Sequence, residues 1–123
     1  MKYLPGPVEQ WKRVVIDGRQ YDYFVSDAGR IKNKKGQILR PWLRGQRKGT
    51  YPAVRLCGYI RQKTIDVHRL VALHFVDNPK NKPEVNHLDC DPNNPAAHNL
   101  EWCTRSENER HKYFMEAMED IAI

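Results

Sequence analysis

Amide and imidazole side chains recur in the second half of the chain at spacings that favour a hydrolytic site. The set consists of Asn86, His87, Asn99 and Asn108, and His111 follows Asn108 by about one helical turn. An imidazole near its ordinary pKa can take a proton from water at neutral pH. Amide oxygens are hard ligands that suit Mg²⁺, an ion that also binds substrate phosphate. This combination favours hydrolysis of a phosphodiester, in which a divalent ion would neutralise charge on the leaving oxygen.

Two strands and a polar loop are predicted to bring these side chains together. Residues Glu84 to His87 and Asn99 to Cys103 read as strands, and the loop Asp89 to Ala97 connects them. The pairing of these strands would place Asn86-His87 beside Asn99.

A helix is predicted after the second strand, because two capping-box patterns occur there. They are Thr104-x-x-Glu107 and Ser106-x-x-Glu109, and the helix should run to about Met118. Asn108 and His111 would lie on one face of it. The apolar residues beyond Lys112 are expected to continue the helix over the core.

The first half of the chain reads as short strands separated by turns, which indicates a small antiparallel sheet. Strands are predicted at 21–25, 30–33, 38–40, 51–56 and 61–67. A short helix is predicted at 67–76, since apolar residues that include Leu73 recur there at helical spacing.

Positive charge is concentrated in residues 30–63, which we call the basic segment. The chain has 123 residues and a net charge of +6, but the basic segment has no acidic residue. Such a distribution points to an anionic polymer, and we predict contacts with double-stranded DNA. The predicted contacts are Arg30, Lys32, Lys34, Lys35, Arg40, Arg44, Arg47, Lys48, Arg55, Arg61 and Lys63, with Arg69 as a further phosphate contact.

Composition excludes several other classes of protein. No apolar run approaches the roughly 20 residues needed to span a bilayer, so no membrane contact is expected. The first residues lack the apolar stretch of a signal peptide, and three cysteines argue against a disulfide scaffold. We therefore expect a cytoplasmic protein that is not secreted. No zinc is expected, because the cysteines lack paired spacing.

Several motifs in order resemble HNH endonucleases of the phage homing type, which act in bacterial or phage-infected cells. They are Val67-His68-Arg69-Leu70-Val71-Ala72, Val85-Asn86-His87-Leu88-Asp89, Asn93-Asn94, Asn99-Leu100-Glu101-Trp102 and Ser106-Glu107-Asn108. The run from Tyr23 to Ile31, with Trp11 before it, resembles the nuclease-associated DNA-binding module that often precedes such a core.

This resemblance implies a metal-dependent DNA endonuclease with a ββα-metal core. His87 would be the general base, and Asn99 would hold the hairpin and orient His87. Asn86 and Asn108 would hold one divalent ion, Mg²⁺ or Mn²⁺, and the products would carry 5′-phosphate and 3′-hydroxyl ends. One such site cuts one strand at a time. A monomer would therefore nick the duplex, and a homodimer would cut both strands.

Two positions depart from the pattern of related nucleases. Asn86 stands where Asp is common, so one negative charge at the metal is missing. Asn108 stands where a His often ends the motif, and His111 is the alternative ligand.

Other interpretations of the same residues exist. A non-catalytic DNA-binding protein that keeps the fold is the alternative function, and a zinc-stabilised RNA-binding module is disfavoured. His68 is expected to be structural. The run Asp89-x-Asp91-x-Asn93 begins like a calcium loop, but residues 94 and 100 do not fit one, and Asx turns are expected instead.

The predicted fold class is α+β. A small antiparallel β-rich DNA-binding module at 1–63 would precede a ββα-metal nuclease core at 64–123.

Overall fold

The computed structural model describes residues 8–45, 51–58 and 61–121, and it confirms a mixed fold of small antiparallel sheets and two helices. Two three-stranded sheets come first, and a two-stranded hairpin follows. The elements are β1 (Trp11–Ile16), β2 (Arg19–Ser26), β3 (Ile31–Asn33), β4 (Trp42–Arg44), β5 (Tyr51–Cys57), β6 (Gln62–Asp66), α1 (Val67–Phe75), β7 (Glu84–His87), a 3₁₀ turn (Ala97–Asn99), β8 (Leu100–Cys103) and α2 (Arg105–Ile121).

The first sheet has the order β1-β2-β3, and strand β1 was missed by the sequence prediction. Asp17 and Gly18 join β1 to β2 with φ values of 52° and 76°. Positive φ at both central residues is the requirement of a type I′ turn, for which Asp-Gly is a favoured pair. This dipeptide was the available signal for the missed hairpin.

The second sheet has the order β4-β5-β6, and β4 was also missed. The predicted strand at 38–40 is wrong, because Ile38 forms only an isolated bridge with Lys32. The strand predicted at 61–67 spans Gln62–Asp66, and α1 begins at Val67.

Helix α1 packs against both sheets and against the site hairpin β7–β8. Its residues Leu70 and Val71 are fully buried beside Val14, Val25 and Leu56 of the sheets. Leu73 belongs to the apolar pattern that predicted this helix, but it lies at the margin of the core face and is 45% exposed. The buried stripe of the helix contains His68 instead.

The site hairpin and α2 follow the predicted order closely. Strand β7 has the predicted bounds, whereas Asn99 lies in the 3₁₀ turn just before β8. Thr104 and Glu107 form the capping box: the Glu107 amide donates to Thr104 Oγ1 at 3.2 Å, and the Thr104 amide donates to Glu107 Oε1 at 2.9 Å.

Helix α2 extends to Ile121, but its later apolar residues do not cover the core as expected. Tyr113 is 72% exposed, and Phe114 and Met118 are exposed as well. The described helices are too short or too polar to cross a membrane.

The predicted boundary between residues 63 and 64 lies inside β6, which pairs with β5 along its length. The two predicted parts of the chain are also joined by α1 and by a loop contact: the Ala97 amide donates to the Asp27 carbonyl at 2.8 Å. The division into two domains stays a prediction.

Gly29→Ala is expected to destabilise the protein, because Gly29 carries the turn after β2 against the loop of the site hairpin. Its φ is +93°, and a Cβ there would lie 2.4 Å from Pro95 Cγ. Strained backbone and overpacking each cost about 1–3 kcal/mol, so the expected loss is about 2–6 kcal/mol. Urea unfolding measures it.

Gly36→Ala is the matched control, since Gly36 has a φ of +81° but open space around its Cβ position. Equal losses for the two variants would contradict a packing role for Gly29.

Candidate active site

His87 lies at the end of β7, opposite Leu100 of β8, and it is only 6% exposed. Its ring is stacked on Tyr51, with ring centroids 6.0 Å apart and an interplanar angle of 12°. The His68 ring also contacts the His87 ring, and their centroids are 4.7 Å apart. His87 Nε2 is buried and has no hydrogen-bond partner. With Nε2 enclosed, Nδ1 is the nitrogen left to accept a proton.

Burial lowers the pKa of His87, although the carboxylates of Asp89 and Asp91 act in the opposite direction. A lowered pKa keeps the imidazole neutral at pH 7, which is the form that a general base requires. The environment of His87 is therefore compatible with the role that the resemblance implies.

Asn99 holds the loop that follows His87. Its Nδ2 donates to Asp89 Oδ1 at 2.9 Å and to the Asn94 carbonyl at 3.0 Å, and its Oδ1 accepts from the Asp89 amide at 3.1 Å. The Leu88 amide donates to the Asn99 carbonyl at 2.8 Å. The Asn99 side chain bonds to the loop and not to the imidazole, so the orienting role expected of Asn99 would have to be exerted through the backbone.

The loop itself is built from Asx turns, as the sequence indicated. The Asp91 amide donates to Asp89 Oδ1 at 2.8 Å, and the Asn93 amide donates to Asp91 Oδ1 at 2.9 Å. Burial acts to raise the pKa of Asp89, but hydrogen bonds from Asn94, the Asp91 backbone and Asn99 lower it overall. Asp89 therefore stays charged near His87.

Asn86 and Asn108 each hydrogen-bond to a carboxylate of the site hairpin. Asn86 Nδ2 donates to Glu101 Oε1 at 3.1 Å, and Asn108 Nδ2 donates to Glu84 Oε2 at 3.3 Å. Glu84 and Asn86 are two residues apart in β7, and Glu101 is opposite Asn86, so the three share one face of the hairpin. Helix α2 lies over this face with Asn108.

His111, the alternative ligand, has another partner. Its Nε2 lies 3.0 Å from the Leu88 carbonyl, which requires that this nitrogen carry the proton. That bond leaves Nδ1 of His111 without a proton, so His111 stays the alternative to Asn108 as the ligand from α2.

The residues around Asn86 and Asn108 fit a hard divalent cation by donor chemistry. Both amides use their nitrogen in the bonds above, and the amide oxygen is the atom that Mg²⁺ prefers. Glu84 and Glu101 add carboxylates that sequence reasoning missed. Within ranges 8–45, 51–58 and 61–121, no three His, Cys, Asp or Glu side chains group as a metal site.

The second sheet presents a basic face that leads to His87. Trp42, Arg44, Tyr51 and Arg55 lie on the same side of the sheet, since Arg44 is opposite Tyr51 and side chains alternate along β5. The Arg55 guanidinium lies over the Trp42 ring at 5.8 Å. The same face carries the ring that stacks on His87.

Some predicted DNA contacts are already paired with acids from outside the basic segment. Arg30 forms an ion pair with Glu9, and Arg44 Nη2 lies 2.9 Å from Asp66 Oδ1. Arg69 donates to the Pro83 carbonyl at 2.9 Å. Part of the positive charge of the basic segment is therefore neutralised in the fold by acids that lie elsewhere in the sequence.

The remaining predicted DNA contacts are spread over the two sheets and their turns. Lys32 lies over the Trp11 ring at 4.1 Å. Exposed side chains include Lys34, Lys35, Arg40, Arg55 and Arg61, and Lys63 is half-buried. Arg47 and Lys48 lie outside the described residues.

Tyr51, Glu84 and Glu101 were not singled out from the sequence. Glu84 could have been found from strand alternation, since it is two residues before Asn86. Tyr51 gives no local signal, because it reaches His87 from a strand 36 residues earlier in the chain.

Comparisons of sequence and of structure with known proteins find similarity to the same group of proteins. Residues 9–57 match the NUMOD4 motif. Two uncharacterized HNH endonucleases of Acanthamoeba polyphaga mimivirus are 41% and 35% identical over 84% and 73% of this chain. DNA endonuclease I-HmuI of Bacillus phage SP01 is 33% identical over 80% of the chain.

A solved structure, described as DNA binding and cleavage by the HNH homing endonuclease I-HmuI, matches 92% of this chain. The TM-score is 0.73 at 28% sequence identity, and the match covers 66% of that chain. The matched segments span 26% and 27% of the mimivirus relatives and 55% of the phage enzyme. In sequence and in fold, this chain is a relative of the HNH endonucleases of the phage homing type, with a NUMOD4 motif ahead of the hairpin that holds Asn86 and His87.

Proposed function

We propose that the chain is a metal-dependent DNA endonuclease that hydrolyses a phosphodiester bond. The observation that carries this proposal is the contact between the ring of His87 and Tyr51, since Tyr51 lies on the basic face of the second sheet. A backbone held by Arg55 and its neighbours would pass next to the imidazole. Phosphate contacts of this kind give affinity and salt dependence but little sequence information.

The chemical step needs a proton acceptor, and His87 supplies it. Nδ1 of His87 takes a proton from a water molecule whose oxygen bonds to phosphorus. The bond between phosphorus and the 3′ oxygen breaks, and the leaving oxygen takes a proton from a solvent water molecule, which leaves a 5′-phosphate and a 3′-hydroxyl end. Asp89 and Asp91 stabilise the imidazolium that forms, because their carboxylates favour its protonated state.

Asn86 and Asn108 would hold the divalent ion, Mg²⁺ or Mn²⁺, through their amide oxygens. When bound, the ion supplies positive charge for the phosphate and the leaving oxygen. Glu84 and Glu101 lie next to these amides and provide negative charge that a site of two asparagines lacks.

Cleavage of a supercoiled plasmid tests the proposal. We expect nicked or linear product with Mg²⁺ or Mn²⁺ and none with EDTA. Asn108→Ala should raise the metal concentration needed for half-maximal cleavage by at least about tenfold, because it removes an oxygen ligand. Asn93→Ala is the control, since Asn93 is exposed in the hairpin loop.

Tight DNA binding without cleavage under any divalent ion would overturn the proposal. That outcome would favour a DNA-binding protein that keeps the fold. The neutral Asn86 and the buried His87 are the features on which that alternative rests.

A further inference from the structure

Two imidazole nitrogens on rings that contact each other are buried without a hydrogen bond. They are His68 Nδ1 and His87 Nε2, and no other buried side-chain nitrogen or oxygen among the described residues lacks a partner. A buried polar group without a partner costs about 1–3 kcal/mol, so two in one place call for an explanation.

The fold places the two rings against each other from different elements. His68 is the second residue of α1 and is 9% exposed, and His87 ends β7. Their centroids are 4.7 Å apart with the planes tilted by 49°, and the Tyr51 ring lies 4.9 Å from that of His68. The His68 ring is therefore held on two sides.

A neutral imidazole has one N–H donor and one acceptor nitrogen. A hydrogen bond from His87 Nε2–H to His68 Nδ1 would satisfy both buried atoms at once. The torsion that turns an imidazole ring has a broad profile, so rotation of the two rings is the movement that would bring these nitrogens together.

We propose that His68 is a positioning residue that accepts a hydrogen bond from His87 Nε2–H and so fixes the tautomer of His87. In that tautomer, the lone pair lies on Nδ1, the nitrogen that the proposed reaction uses. The inference rests on the proposed function for its kinetic consequence, but the hydrogen bond itself can be detected without DNA or metal.

The ¹⁵N NMR spectrum of the full chain tests the hydrogen bond directly. We expect the ring nitrogens of both histidines to show the Nε2–H tautomer, with a ¹⁵N–¹⁵N coupling across the bond from His87 Nε2 to His68 Nδ1. His68→Phe should remove the coupling and leave His87 in a mixture of tautomers. Absence of the coupling in the unaltered protein, or a His87 tautomer that does not respond to His68→Phe, would overturn the proposal.

Kinetics separate positioning from packing through two variants. His68→Phe keeps a ring but no acceptor, and His68→Asn places an amide oxygen near the position of Nδ1. We expect His68→Phe to lower kcat by about 10- to 100-fold with the Kd for DNA unchanged, and His68→Asn to recover most of that loss. Urea unfolding shows whether each variant is folded.

The outcomes distinguish the two proposals. If the unaltered protein does not cleave DNA, the proposed function fails, whereas the NMR result still decides the hydrogen bond. If the protein cleaves DNA and His68→Phe matches it, or if His68→Asn is as slow as His68→Phe, the positioning role fails while the nuclease function stands.

Discussion

Replacing His87 by alanine is expected to reduce the rate of DNA cleavage by about 10²- to 10⁴-fold, the range that general-base catalysis contributes. The reason is the loss of the proton acceptor at the end of β7. DNA affinity should change little, because the proposed phosphate contacts lie on the basic face and not on the imidazole. Single-turnover cleavage of a labelled duplex measures the rate, and a gel-shift titration measures the affinity.

His98→Ala is the matched control for this experiment. His98 is exposed in the 3₁₀ turn before β8, close in sequence to the site but without a role in it. A His87→Ala protein that cleaves as fast as the His98→Ala control would end the general-base assignment, whether or not DNA binding is retained.

The fold is expected to lose stability as the pH falls from about 6.5 to about 4, because His68 is buried as a neutral ring. Burial, with the charge of His87 as a further cause, lowers the pKa of His68 from 6.5 to about 4. The unfolded chain binds a proton at His68 below about pH 6.5, whereas the folded protein does not until about pH 4. Stability is therefore lost as the pH falls through this interval, by about 3 kcal/mol in total from this residue.

Urea unfolding at pH 7 and at pH 4.5 measures the loss. The pKa values of His74 and His87 are lowered by burial as well, so they act in the same direction. Glu107 has a pKa of about 2 and contributes only in more acidic solution, since its unfolded pKa is 4.5. His68→Phe should show a smaller loss than the unaltered protein and His98→Ala the same loss. An unchanged loss in His68→Phe would contradict the assignment.

Local patterns predicted the part of the fold that holds the site. The Asx turns and the capping box of α2 depend on residues within a few positions of one another. The bounds of β7 follow from the residue types within that short segment. Hydrogen bonds between near neighbours are encoded by residue type and spacing, which explains this success.

Features that depend on distant contacts were not predicted. The orientation of Leu73 depends on what packs around α1, and helical spacing alone does not distinguish a core face from its margin. All three residues of strand β4 are exposed, so its sequence shows no alternation of apolar and polar residues that would reveal a strand. Its partner strand β5 begins only at Tyr51.

The sequence by itself determined the chemistry available to this protein: which residues are imidazoles and amides, and that His87 follows Asn86 in a strand that pairs with its return. Only the tertiary structure decided the environment of that chemistry. It placed His68 and Tyr51 against His87, and Glu84 and Glu101 against the two amides. It also paired Arg44 with Asp66. Burial and charge pairing depend on distances between elements remote in the chain, and no pattern of neighbouring residues encodes those distances.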